Sequence, residues 1–186
     1  MNSCAVETEP PTQGASDDDL LKVCQLLNEA GARYLICGGF AVILHAVPRA
    51  TKDVDLLILD SPENFDRVLQ ALRKLPDGAA AELTPQDFAD NLVVKILDEV
   101  EVDVSRRAWV VTYDEAIAGA RELVIDGIRI PYLGLKDLIR SKQTYRDKDR
   151  ADIQMLLESS PEARDAEGLA NAQKAKGCLG WLIPGG

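Results

Sequence analysis

The chain is poor in the residues that build most soft-metal and redox centres. One histidine, His45, stands among 186 residues, and the four cysteines Cys4, Cys24, Cys37 and Cys178 include no C-x-x-C pair. A structural zinc site draws on several nitrogen or sulfur ligands at short spacing, and no such set is present. The scattered thiols read as reduced cysteines of a cytoplasmic protein. No apolar run approaches the ~20 residues that cross a bilayer, and residues 1–16 hold no apolar core of a secretion signal, so neither membrane insertion nor secretion is expected. Positive charge is scarce too: 21 lysines and arginines face 31 acids, for a net charge of -10. Binding along duplex DNA relies on clustered lysine and arginine, so strong duplex binding is not expected, while a small local contact with RNA is compatible with this balance.

What is present suits one globular domain with tails. The hydrophobic content of 46% supports a sizeable core, and the sequence shows no internal repeat and no second core. Residues 1–16 read as a disordered N-terminus, 17–158 as the domain and 159–186 as a mostly flexible tail, apart from a small apolar cluster around Trp181.

The informative stretch is 35–59, LICGGFAVILHAVPRATKDVDLLIL. Gly38 and Gly39 follow an apolar strand-like run and open a helix-like run, so a strand turns tightly into a helix N-terminus. There the free N–H groups and the positive end of the helix would stabilise a phosphate. Asp53 and Asp55 flank Val54 ahead of an apolar run, and residues two apart on a strand share a face. An acidic protein with paired carboxylates repels a nucleoside triphosphate unless a divalent cation screens both, which makes magnesium or manganese a requirement of that reading.

Around it the pattern alternates helices and strands. A helix starts at Ser16 or Asp17 and ends at Gly31. A strand over 34–37, a helix to Ala46, a strand over 54–59 and a helix after Pro62 follow. Residues 92–97 and 100–104 form two strands joined tightly at Asp98-Glu99. Asp126-Gly127 marks a second hairpin between 122–125 and 128–132. Late helices cover 135 to about 145 and about 149 to 157, or one longer helix runs through both. Lys142 and Arg146 stand one helical turn apart and are expected on a single face.

If the strand carrying Asp103 neighbours that of Asp53 and Asp55, three carboxylates converge across a spacing of ~4.8 Å. Two divalent ions held there could bind a triphosphate and activate an attacking hydroxyl. Glu101 shares Asp103's face, and Asp98 lies in the turn, so both compete for the third place. Arg49 on the connecting loop either meets substrate or makes an ion pair. Asp149 and Asp152 read as a helix cap and an ion-pair partner, Cys24 and Cys37 as core, His45 as a packed or capping side chain, and Trp109 as a packing residue.

Gly38-Gly39-Phe40-Ala41, followed by Pro48-Arg49-Ala50-Thr51-Lys52-Asp53-Val54-Asp55, resembles the signature of the DNA polymerase beta type nucleotidyltransferase superfamily. It is most similar to its small bacterial-type members, including abortive-infection toxin nucleotidyltransferases. The run from Leu138 to Ile153, with Lys142, Arg146, Lys148, Asp149 and Asp152, is similar to a K-x-x-x-R-x-K-D-x-x-D-I pattern of those members. The resemblance implies an α/β (α+β) nucleotidyltransferase fold: a small mixed sheet flanked by helices, with additional C-terminal helices. It implies Asp53, Asp55 and Asp103 as catalytic metal ligands for Mg2+ or Mn2+, with Asp103 helping to deprotonate the acceptor hydroxyl. Gly38, Gly39, Arg49, Thr51, Lys142 and Arg146 are the candidates to bind the nucleotide. The expected reaction moves a nucleoside monophosphate from an NTP such as ATP to a hydroxyl of RNA, a protein or a small molecule, releasing pyrophosphate. A toxin-antitoxin-like partner belongs to the same expectation, and an inactive nucleotide-binding or partner-binding module of the same fold is the alternative.

Overall fold

The computed structural model describes residues 14–159; the expectations for the first residues and for the tail with Trp181 lie outside them. Helix α1 (Asp17–Glu29) starts at a capping box in which the Ser16 hydroxyl accepts from the Asp19 N–H and Asp19 accepts from the Ser16 N–H. Gly31, at φ 64°, turns the chain out of it. Strand β1 (Tyr34–Ile36) leads directly into α2 (Gly38–Leu44), and β2 (Asp53–Ile58) is followed by α3 (Pro62–Leu72), with Ser61 as its cap and proline in its first turn. Helix α4 (Pro85–Asp90) opens on a Thr84–Asp87 capping box and precedes β3 (Val93–Leu97) and β4 (Glu101–Ser105).

A two-residue pair, β5 (Arg107–Ala108) and β6 (Val111–Thr112), turns at Trp109, and α5 (Tyr113–Ala116) runs into a 3-10 turn at Ile117–Gly119. Strands β7 (Arg121–Ile125) and β8 (Ile128–Tyr132) join through Asp126 and Gly127 at φ 51° and 79°, the pair of positive φ angles that a two-residue hairpin of this twist demands. Helices α6 (Leu135–Ser141) and α7 (Asp147–Ser159) close the described chain.

Six strands form one mixed sheet in the order β3-β4-β2-β1-β8-β7. Neighbours are antiparallel except β2 with β4 and β1 with β8. This is the mixed sheet flanked by helices that the family resemblance implied, with α6 and α7 as the added C-terminal helices. On one face Val54, Leu56, Ile58, Val94, Ile96, Val102 and Val104 are buried; α3 packs against both α1 and α4, α1 contacts β2 and β8, and α4 contacts β3. Phe65 of α3 meets Phe88 of α4 at 5.8 Å between rings. Because that face carries the core, the alternate residues at the starts of β2 and β4 are free to be polar, and these are the acids Asp53, Asp55, Glu101 and Asp103, while Leu57 further along β2 is buried. Among the described residues no helix is long and apolar enough to cross a membrane.

Three expectations change. The late segment is two helices, the first of the two readings, but the first helix ends at Ser141 and not near Tyr145, so Lys142 caps α6 while Arg146 precedes α7, and they do not share a helix face. The break is stabilised by Asp149, whose carboxylate accepts from the Thr144 hydroxyl and from Arg146 Nε, with Asp147 and Asp149 set in the positive first turn of α7. The β3–β4 turn spans three residues, since Leu97 pairs with Glu101. Trp109 is 47% exposed and does not pack into the core.

Candidate functional site: an acidic sheet face beside a basic cleft

Parallel register builds the site. Asp53 lies opposite Glu101, and Asp55 opposite Asp103, so four carboxylates form two rungs on the face away from the core. Oxygens of Asp53, Glu101 and Asp103 lie within 4.8 Å of one another. Asp53 and Asp103 thus meet as the sequence led one to expect, with Glu101 in the third place. Its signal was its position two residues from Asp103 on one strand.

Asp55 stands opposite Asp103 and lines one cleft with it. Its Oδ2 accepts from the Gly39 N–H at 3.3 Å, at the start of α2. Burial, and then the neighbouring Asp53 charge, push its carboxyl up to about 6 against the favourable Gly39 bond. Gly38 has φ +57°, and a Cβ there would stand 1.7 Å from Asp55 Oδ2 and 2.7 Å from Asp55 Cβ. Gly38 is therefore required by a carboxylate of the protein itself. A Cβ on Gly39 would come within 2.3 Å of Thr51 Oγ1, and this buried hydroxyl donates to Asp53 Oδ1 at 3.2 Å. Thr51 thereby orients an acid of the cluster.

The strongest cation on the acidic face is Lys95 of β3. Its Nζ lies 2.9 and 2.7 Å from the two oxygens of Asp103 and 3.2 Å from Glu101. Asp103 is the partner that does most to raise the Lys95 pKa above its usual value. Lys95 escaped the sequence reading because the β3–β4 register that places it opposite Asp103 is set by the turn length.

A second charged group lies at the joint of α6 and α7. Lys142 and Asp152 are buried, with Lys142 Nζ 2.6 Å from Asp152 Oδ2. Arg49 reaches the same oxygen at 2.7 Å. Arg49 thus makes an ion pair inside the protein, locking the loop before β2 to α7. Asp149 is fully buried, and its Oδ1 has no hydrogen-bond partner among the described residues; Lys142 Nζ is 3.7 Å away.

Between the two groups opens a cleft of about 390 Å³, lined among others by Gly38, Asp55, Asp103, Lys142, Arg107 and Arg146. Its rim carries Trp109 and Tyr145, with ring centroids 6.0 Å apart at 88°. Tyr145 is 87% exposed. Arg49, Thr51 and Gly39 support the cleft from behind and are not part of its lining. Cys24 and Cys37 are buried, and burial pushes both thiols up, Cys24 to about 11, so neither is a nucleophile. His45 caps α2, bonds the Leu133 carbonyl at 2.9 Å and lies edge-on to Tyr132, as a packed histidine should.

Three oxygen donors of negative charge at this separation fit a hard divalent cation and do not fit a soft one. Asp53, Glu101 and Asp103 are the residues that would hold it. Cleft and cluster share Asp103, so a bound cation would border a space that already presents lysine and arginine.

No family model matches the sequence, and no curated protein matches it. Among solved structures, the chain is similar to the crystal structure of an antigenic nucleotidyltransferase-like protein from Paracoccidioides brasiliensis, at 20% identity and a TM-score of 0.50, over 90% of this chain and 93% of that one. The likeness is one of fold: the six-stranded mixed sheet with its flanking helices is a nucleotidyltransferase fold.

Proposed function

We propose that the protein is a metal-dependent nucleotidyltransferase that moves a nucleoside monophosphate from a nucleoside triphosphate to an acceptor hydroxyl. The observation that carries this reading is the convergence of Asp53, Glu101 and Asp103 within 4.8 Å at the edge of a cleft lined by Lys142, Arg107 and Arg146. Carboxylates alone would repel a triphosphate, and basic side chains alone would bind one without activating it. Set side by side, they can do both.

One or two magnesium or manganese ions at the carboxylates would screen phosphate charge and lower the pKa of the attacking hydroxyl. Lys142 and Arg146 hold the triphosphate, and Trp109 and Tyr145 offer ring faces to the base. Asp53 is kept in position by Thr51, and Asp55 by the Gly39 N–H. The acceptor oxygen bonds to the α-phosphorus, its proton passes to a carboxylate of the cluster, and the α–β phosphoanhydride bond breaks to release pyrophosphate. The acceptor belongs to RNA, a protein or a small molecule, and a toxin-antitoxin-like pairing is one setting that would supply a protein acceptor.

Incubation of the full chain with manganese and each of four α-labelled nucleoside triphosphates, alone and with total RNA or cell lysate as acceptor, tests the reading. Labelled acceptor together with pyrophosphate, both lost in Asp53→Asn and Asp103→Asn, is the expected result. Binding of nucleotide without any pyrophosphate, by the wild type and Asp53→Asn alike, would identify an inactive binding module instead.

A further inference from the structure

We propose that Lys95 is a tethered counter-ion that holds the metal donors until a nucleotide gives it another partner, so that cation and nucleotide bind together. The inference rests on the metal-dependent reading above and extends it to the order and coupling of binding. Lys95 Nζ contacts both oxygens of Asp103 and one of Glu101, at 2.7 to 3.2 Å, and these are two of the three groups that would ligate the cation. An ammonium and a divalent ion compete for the same lone pairs. Binding of the cation therefore requires Lys95 to leave.

It can leave easily. Its side chain is 55% exposed and springs from the edge strand of the sheet, with solvent on one side of it. Among the described residues, the acids that hold it are Asp103 and Glu101, at 2.7 and 3.2 Å. Glu101 and Asp103 both stand on β4, the strand next to β3, while Asp53 stands one strand further in on β2 and accepts from Thr51. With the cation absent, Lys95 neutralises part of a face that would otherwise hold closely spaced negative charges. Once displaced, its positive end remains tethered within reach of the cleft border at Asp103, where a triphosphate brings negative charge. The nucleotide thus offsets the loss of the carboxylates, and the metal and nucleotide sites become thermodynamically coupled in both directions.

Manganese(II) titration of the full chain followed by electron paramagnetic resonance, with and without the non-hydrolysable analogue α,β-methylene ATP, tests this. In Lys95→Met, and equally in Lys95→Gln as a second variant, manganese alone binds roughly tenfold tighter than in the wild type, the scale of a part-exposed ion pair with two partners. The enhancement of manganese affinity by the analogue is large in the wild type and shrinks in both variants. Equal manganese affinity in all three proteins overturns the role of Lys95 and leaves the metal site standing. No manganese binding by any of them, with or without the analogue, overturns the metal-dependent reading and this inference together.

Discussion

Replacing Gly38 with alanine probes the contact on which the site's geometry depends. At φ +57° an L side chain costs ~1–2 kcal/mol. The new Cβ would also stand 1.7 Å from Asp55 Oδ2, 2.2 Å from its Cγ and 2.7 Å from its Cβ. Rotating the carboxylate relieves the first overlap and leaves the last, so the β1–α2 turn must shift away from β2. That shift breaks the Gly39 N–H bond to Asp55, and a hydrogen bond to a charged acceptor contributes ~1.5–3 kcal/mol. The two costs sum to about 3–5 kcal/mol, which at ~2–4 °C per kcal/mol for a chain of this size lowers Tm by roughly 10 °C. Gly31→Ala is the internal control, because its φ is +64° and a Cβ there meets nothing within 4 Å. It should lose only the backbone term, a few degrees, and keep its nucleotide binding. Thermal unfolding followed by circular dichroism compares the two variants. Equal losses would refute the claim that Gly38 exists to admit Asp55, and would free the glycine pair for a purely ligand-facing role.

Two further outcomes follow from the same geometry. The Asp55 carboxyl lies at about 6 against an ordinary 3.8, so between these values the folded chain holds more protons than the unfolded one and stability falls as pH rises; the difference in unfolding free energy between the wild type and Asp55→Asn, measured without metal, should change by up to about 3 kcal/mol across that window and be flat above it. Trp109→Ala and Tyr145→Ala should weaken nucleotide binding, measured calorimetrically, by about 1–2 kcal/mol each without lowering Tm, since both rings are exposed at the cleft rim; a loss of Tm with unchanged binding would assign them to packing.

Legibility in the sequence followed the range of the interaction concerned. Local chemistry was readable: a helix start at Ser16 or Asp17, another at Pro62, and the Asp126-Gly127 turn each fix backbone within a few residues, and the D-x-D alternation of β2 shows which side chains share a face. Pairing between distant strands was not readable. Nothing near Asp53 says that Glu101 lies opposite it, or that Lys95 lies opposite Asp103, because the β2–β4 register is set by the whole crossover and the β3–β4 register by a three-residue turn. The division of labour between Asp53 and Asp55 has a similar origin, since it depends on how closely the turn at Gly38 approaches β2. The end of the first late helix, expected near Tyr145 and found at Ser141, was misplaced for a related reason. Lys142 to Arg146 has no strong breaker, and the chain leaves the helix there because Asp149 draws the Thr144 hydroxyl and Arg146 toward itself while Lys142 turns inward to Asp152. Trp109 takes a positive φ at the tip of a two-residue ladder, a conformation no tryptophan announces from its neighbours.

The central claim is that the acids of β2 and β4 hold a divalent cation at the border of a nucleotide cleft. Crystals of the full chain grown with manganese and α,β-methylene ATP, with diffraction recorded at the manganese absorption edge, test it most directly. The account predicts an anomalous peak bounded by Asp53, Glu101 and Asp103, with phosphate density running from it toward Lys142 and Arg146 and Lys95 turned away from Asp103. Nucleotide bound elsewhere, or bound in the cleft with no peak at the three acids and Lys95 still on Asp103, would contradict it.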